Sequence, residues 1–112
     1  MAFLNYSVLS KDTQALSSNA FTASKSFHLV DTEGNAANDQ IDTINGGVDG
    51  GFLILQISSA GRDSWLIEGG GNVEMQVDAN FQLNDSTDTA MFIYNGNTSL
   101  WCEIARSDNH PG

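Results

Sequence analysis

GGVDGGFLILQI, residues 46–57, sets four glycines and one aspartate directly against an apolar run. Within GFLILQI (51–57), Leu53, Leu55 and Ile57 fall on one alternating set, and Phe52 and Ile54 on the other. A run this short, apolar on both sets, reads as a strand covered on both faces. The glycines come before the strand. A dinucleotide fingerprint needs them after a strand and at the start of a helix, and a P-loop needs a Gly-Lys-Ser/Thr ending that is missing here. GGVDGG is therefore read as a structural corner, where glycine supplies positive φ or close backbone approach.

Outward from that corner the chain keeps the same grammar. SFHLV (26–30), IDTI (41–44), SWLIE (64–68), NVEMQV (72–77), ANFQL (79–83), AMFIY (90–94) and SLWCEI (99–104) are short apolar segments parted by Gly, Asn, Asp or Ser. β-branched and aromatic residues fill the segments, and turn formers fill the gaps, so the fold class is all-β. Corners recur about every 8 to 12 residues, a spacing shared by a β-sandwich, a prism and a short β-solenoid. The glycines and Asp-Ala-Asn between residues 64 and 83 favour strands wrapping around an axis. Asn95-Gly96 reads as a hairpin turn, because both residues tolerate positive φ. Residues 1–24 lack a sustained helical stripe and are read as an extended N-terminal arm or a short strand plus loop. Residues 25–109 form one β-rich module, and 110–112 a tail.

Fourteen acidic residues against four basic ones give a formal net charge of -10 over 112 residues. Four scattered cations build no basic patch, so a phosphate backbone is a poor partner and no nucleic acid is expected, and an anionic membrane surface would be repelled. No window reaches the apolar length of a membrane-spanning helix, and the first residues read as neither signal peptide nor anchor. The single cysteine, Cys102, rules out an intrachain disulfide and reads as a small core residue. A domain of this size hides roughly 65% of its unfolded surface, a modest core that a partner subunit would reinforce.

Signals for chemistry are sparse. DTEGNAANDQID (31–42) collects Asp31, Glu33, Asn35, Asp39 and Asp42, oxygen donors of the kind calcium takes, but without EF-hand spacing. It reads as a solvated acidic loop. His28 reads as a packed histidine, and no orienting group or oxyanion site accompanies it and Cys102. A chain this short has little material for a cleft holding two separated carboxyls. The expectation is a protein that is not an enzyme and needs no cofactor or metal. Trp65, Tyr94 and Trp101 have two readings: cross-strand packing, or rings that stack on a sugar beside the amides of YNGNTSLW (94–101).

Taken together, FHLVDTEG, QIDTINGGVDGGFLILQI and the stretch from Trp65 to Asn109 resemble a module of structural proteins of tailed bacteriophages. It recurs in tail fibres, head fibres and capsid-associated proteins. The resemblance rests on Ile41, Ile44, Gly46, Gly47, Gly50, Leu53 and Leu55; then Gly71, Asn72, Val73, Phe81 and Leu83; then Asp88, Thr89, Trp101, Glu103, Ile104, Arg106 and Ser107. It covers roughly residues 27 to 109. Asp63-Ser64-Trp65-Leu66 departs from it by placing a bulky ring where a Thr/Val-rich strand is usual.

The resemblance implies a homotrimer whose apolar strands meet around a threefold axis. A free-standing copy suits a decoration protein that cements a capsid shell, with the major capsid protein as partner and the virion surface as location. Leu53, Leu55, Ile57, Val73, Phe81, Leu83, Ile93 and Ile104 are the expected core and trimer residues. Phe3, Tyr6 and Leu9 are the expected capsid-attachment residues of the arm. The rival reading is a receptor- or glycan-binding fibre tip that uses Trp65, Tyr94 and Trp101 on a surface glycan.

Overall fold

Short strands bounded by glycine and asparagine cannot each build a sheet alone; they bury their apolar sets by stacking on strands one circuit away in the chain. The computed structural model describes residues 12–109. Its first strands are β1 (Asp12–Ala15), β2 (Ala20–Thr22), β3 (Phe27–Asp31), β4 (Asn38–Ile41), β5 (Thr43–Asn45) and β6 (Phe52–Ile57). They are followed by β7 (Asp63–Leu66), β8 (Val73–Glu74), β9 (Phe81–Leu83), β10 (Thr89–Asn95) and β11 (Leu100–Ser107).

Three parallel stacks define the winding. β1, β3 and β6 form one, with Asp12 opposite His28 and Phe27 opposite Ile54. β2 and β5 form the second, and β4 and β7 the third. Each circuit contributes one strand to a stack, which gives a compact, single-domain, all-β structure of β-solenoid-like stacked coils. Antiparallel strands end the winding: β9 joins β7, and the β10–β11 hairpin joins β6, extending the first stack to the order β1-β3-β6-β10-β11-β8.

The core lies inside the coils. Val30, Leu53, Leu55, Ile57, Ala90 and Phe92 point inward from the long sheet, and meet Phe21, Ile44, Ile41, Leu66, Phe81 and Leu83 from the other two. Period-two alternation does this sorting, since every second side chain of a strand faces the same way. Within the stretch read as an arm, residues 12–24 supply β1 and β2 to the stacks, and Leu16 and Phe21 to the core. Ser18 and Asn19, both at positive φ, turn the chain between them. Two apolar residues inside polar flanks were enough to make a coil, though too few to show a period.

Two corners differ from the sequence reading. NVEMQV makes only the two-residue β8; the chain then enters a 3₁₀ turn at Gln76–Asp78, where Val77 and Asp78 take positive φ and Val77 is exposed. The hairpin after β10 exists, but its positive φ falls on Ser99, not on Asn95 or Gly96. The Asn95 carbonyl accepts from the N–H groups of both Thr98 and Ser99, so the turn is longer than a two-residue loop.

Candidate interaction face and adjoining cleft

The strand that decided the fold shows only one of its faces to the core. Leu53, Leu55 and Ile57 are buried, whereas Phe52 and Ile54 stand half-exposed on the outside of the long sheet. Strand register aligns them with their neighbours. One row runs Phe27–Ile54–Met91–Ala105 across β3, β6, β10 and β11; the next runs Phe52–Ile93–Cys102 across β6, β10 and β11. Leu29 extends the patch on β3. Ile93 is 39% exposed and Ile104 51%. Ile104 is the extra residue of a bulge, since Met91 faces Ala105 while Phe92 faces Glu103. None of these side chains carries a charge, on a chain whose acids outnumber its bases by ten. A contiguous uncharged apolar patch is what an association surface looks like.

The expected core and trimer residues therefore divide. Leu53, Leu55, Ile57, Val73, Phe81 and Leu83 are interior, while Ile93 and Ile104 belong to the outer face. Sequence alone could not divide them, because both sets are apolar. Phe3, Tyr6 and Leu9 lie outside the described residues.

The aromatic candidates also separate. Trp101 is buried, donates Nε1–H to the Ile44 carbonyl (3.2 Å), and meets Tyr94 edge-on with ring centroids 5.1 Å apart. The pair packs against the core, with Trp101 buried and Tyr94 half-buried. Trp65 stands apart on the outside of the three-stranded sheet, 36% exposed, level with Gln40 on one side and Gln82 on the other.

GGVDGG bounds one end of the long sheet. An added Cβ at Gly47 would enter the Tyr94 ring, so the loop and the ring sit in direct contact. Asp49 Oδ1 accepts from the Gly96 N–H (2.8 Å), and Gly50 N–H donates to the Tyr94 carbonyl (2.9 Å), which ties the loop to the hairpin. Between this loop and residues 23–25 opens a cleft of about 510 Å³, with Phe52 and Trp101 also in its lining. Val48 stands at its rim, 70% exposed. The lining is mainly apolar, with Lys25 and Asp49 contributing opposite charges.

The acids of 31–42 are engaged in shaping their own turn. Asp31 pairs with Arg62 (3.1 Å), Asp39 accepts from the Glu33 N–H (2.7 Å), and Glu33 accepts from the Ser18 N–H (2.9 Å). Another acidic group was not singled out by sequence: Glu68, Glu74 and Asp78 bring carboxylate oxygens within 4.8 Å of one another. They are spread over eleven positions: the Gly69 N–H to Val73 carbonyl bond folds Glu68 back towards Glu74, and the 3₁₀ turn carries Asp78. Glu68 Oε1 already accepts from the Met75 N–H (2.6 Å).

No model of a known protein family and no curated protein sequence matches this chain.

Proposed function

We propose that the protein is a non-enzymatic structural module that assembles with copies of itself through the outer face of its long sheet. As the resemblance to phage virion modules implies, it would do so as a homotrimeric decoration protein on a capsid shell. One observation carries the reading: the uncharged rows Phe27–Ile54–Met91 and Phe52–Ile93–Cys102 stand on the outside of a strongly acidic chain. Copies of like charge avoid each other unless their contact is free of charge, and this face meets that condition. Each copy would bury both sets of GFLILQI, as the sequence pattern demands. A trimer offering three equivalent contacts would hold a shell by avidity, and would stabilise it by binding only the assembled lattice.

Light scattering behind size exclusion tests the assembly. Three copies of a 12.0 kDa chain give about 36 kDa. Ile93→Glu, at an exposed position, should leave the circular dichroism spectrum unchanged and lower the mass to that of one chain. A wild-type mass of one chain would overturn the reading. Co-sedimentation with phage heads assembled without the protein then tests the shell contact.

A second reading rests on Trp65. An exposed indole between two glutamine amides has the parts for stacking on a sugar ring while binding its hydroxyls. Glycan-array binding that disappears in Trp65→Ala would favour it over the decoration role.

A further inference from the structure

An asparagine that precedes glycine is prone to lose its side-chain amide, because glycine leaves its own backbone nitrogen unshielded. The chain holds two such pairs, Asn45-Gly46 and Asn95-Gly96. Each begins on the last residue of a strand, β5 in one case and β10 in the other, and all four residues are exposed, so water reaches both pairs. In sequence the two are alike. The fold makes them different.

At Asn95-Gly96 three features converge. Asp49, from the GGVDGG loop 47 positions upstream, accepts the Gly96 N–H on Oδ1 at 2.8 Å. The Asn95 side chain curls back over the same peptide, with its own Oδ1 accepting from the Asn97 N–H at 2.9 Å. A Cβ at residue 96 would come within 3.0 Å of Asp49 Cβ and Cγ, so the close approach of this acid depends on glycine. Asn45-Gly46 has no such setting. The Asn45 carbonyl is held by the Ala23 N–H (2.8 Å), and among the described residues no carboxylate accepts from the Gly46 N–H.

From this geometry we infer that Asn95 is a self-modification site, at which Asp49 is the general base for loss of the side-chain amide. A base must lie within hydrogen-bond reach of the proton it takes, and Asp49 does. It removes the Gly96 N–H proton as that nitrogen bonds Asn95 Cγ. The Asn97 N–H, already on Oδ1, stabilises the negative charge that develops there. The Cγ–Nδ2 bond then breaks, the Cγ carbonyl re-forms, and Asp49 returns the proton to the departing nitrogen, which leaves as ammonia. Water opens the resulting cyclic imide to aspartate or, through the other carbonyl, to isoaspartate. Nucleophile, amide carbon and base are held in one turn, which replaces chance encounters by proximity.

The reaction changes the loop that borders the cleft. The imide nitrogen carries no hydrogen, so Asp49 loses its donor at Gly96. Either acid product adds one negative charge to a formal net charge of -10, beside Asp49 itself. The loop is then left with the backbone bonds of Gly50 and Gly51 to Tyr94. Its release is slow and irreversible. This inference does not depend on the trimer or on the capsid reading.

Peptide mapping by mass spectrometry, on full-length protein aged in neutral buffer, tests it by following the amide-to-acid conversion at each asparagine. In the folded protein Asn95 should convert roughly tenfold or more faster than Asn45, within what a positioned base supplies. In urea, where the sequence pairs lose their different surroundings, the two rates should converge. Asp49→Ser offers a hydroxyl beside the Gly96 N–H but no base, and should bring Asn95 down to the rate of Asn45. Asp49→Asn is unsuitable, since it sets a new Asn-Gly pair before Gly50 and would regenerate the acid. Equal rates at the two sites in the folded chain would overturn the inference. So would an Asn95 rate in Asp49→Ser, folded by circular dichroism, that matches or exceeds wild type. If that variant does not fold, the folded-versus-urea comparison on the wild-type chain decides.

Discussion

The side chain of Asn72 pairs with Ile44 as a strand residue would. Ile44 N–H donates to Asn72 Oδ1 (2.8 Å), and Asn72 Nδ2–H donates to the Ile44 carbonyl (2.8 Å). β5 is paired on its other edge with β2, so the carboxamide serves as the next rung of that stack, where the described residues supply no third strand. The backbone continues the bridge: Asn72 N–H donates to the Asp42 carbonyl, and Trp101 N–H to the Asn72 carbonyl. A winding of stacked coils must satisfy the edge groups of its last circuit, and here one amide side chain does so.

Replacing Asn72 should therefore cost more than an ordinary loop substitution. Asn72→Leu leaves the Ile44 N–H without its partner, and the Ile44 carbonyl with the Trp101 indole alone. The expected loss is ~2–4 kcal/mol, from two lost hydrogen bonds and a donor stranded next to the core. Asn72→Asp keeps the acceptor for Ile44 N–H but sets a carboxylate against the Ile44 carbonyl, and should be no more stable than Asn72→Leu. Urea melts of the three proteins give the order.

Glycine substitutions should separate by what surrounds them. A Cβ at Gly71 would enter the Asp42 carbonyl, which is backbone and cannot swing aside. At Gly50 there is open space, and only the positive φ of 79° resists a side chain. Gly50→Ala is expected to cost about 1 kcal/mol, the left-handed penalty for an L-residue. Gly71→Ala should exceed it at least twofold, because the circuits must move apart. Thermal melts in parallel check the order, and equal losses would disprove it.

Much of this architecture was readable in the sequence, and the unreadable part has a physical cause. Period-two alternation in GFLILQI and AMFIY shows strands, and turn residues show where they stop. The pairing partner of each strand is a long-range property, because Phe27 and Ile54 come together only after a full circuit. DTQA and AFT hold too few apolar residues to declare themselves, yet β1 and β2 complete two stacks. The candidate face was half legible. A strand apolar on both sets announces two covered faces, but not which set turns inward. The cleft was not legible, since it depends on how two loops far apart in sequence approach each other.

Ser64 offers a gain in stability. Its side chain is buried, and its hydroxyl oxygen has no hydrogen-bond partner among the described residues. A hydroxyl kept from water without compensation opposes folding, and alanine removes it with little change in volume. Ser64→Ala should raise stability by about 0.5–1 kcal/mol, since no partner is orphaned by the change. A lowered melting temperature would mean that the hydroxyl is hydrogen-bonded in solution.

Arg106 and Glu103 form the ion pair where a charge change should act most strongly. The guanidinium binds the carboxylate twice, Nε to Oε2 at 2.9 Å and Nη2 to Oε1 at 2.6 Å, and lies over the Phe81 ring at 4.2 Å. Glu103 Oε1 also accepts from the Gln76 N–H (2.9 Å), and its side chain is fully covered, whereas that of Arg106 is 23% exposed. Removing the cation leaves a covered carboxylate with one backbone donor. For deeply buried pairs such a break costs ~3–5 kcal/mol; water reaches this guanidinium, so Arg106→Met should lose about 2–3 kcal/mol. Glu103→Gln keeps an acceptor for Gln76 and discards the stranded charge. The double variant should therefore be more stable than Arg106→Met alone, although it carries one more substitution. A double-mutant cycle by urea unfolding measures this. If the two losses simply add, the pair is solvated and does not hold β11 against the Gln76–Asp78 turn.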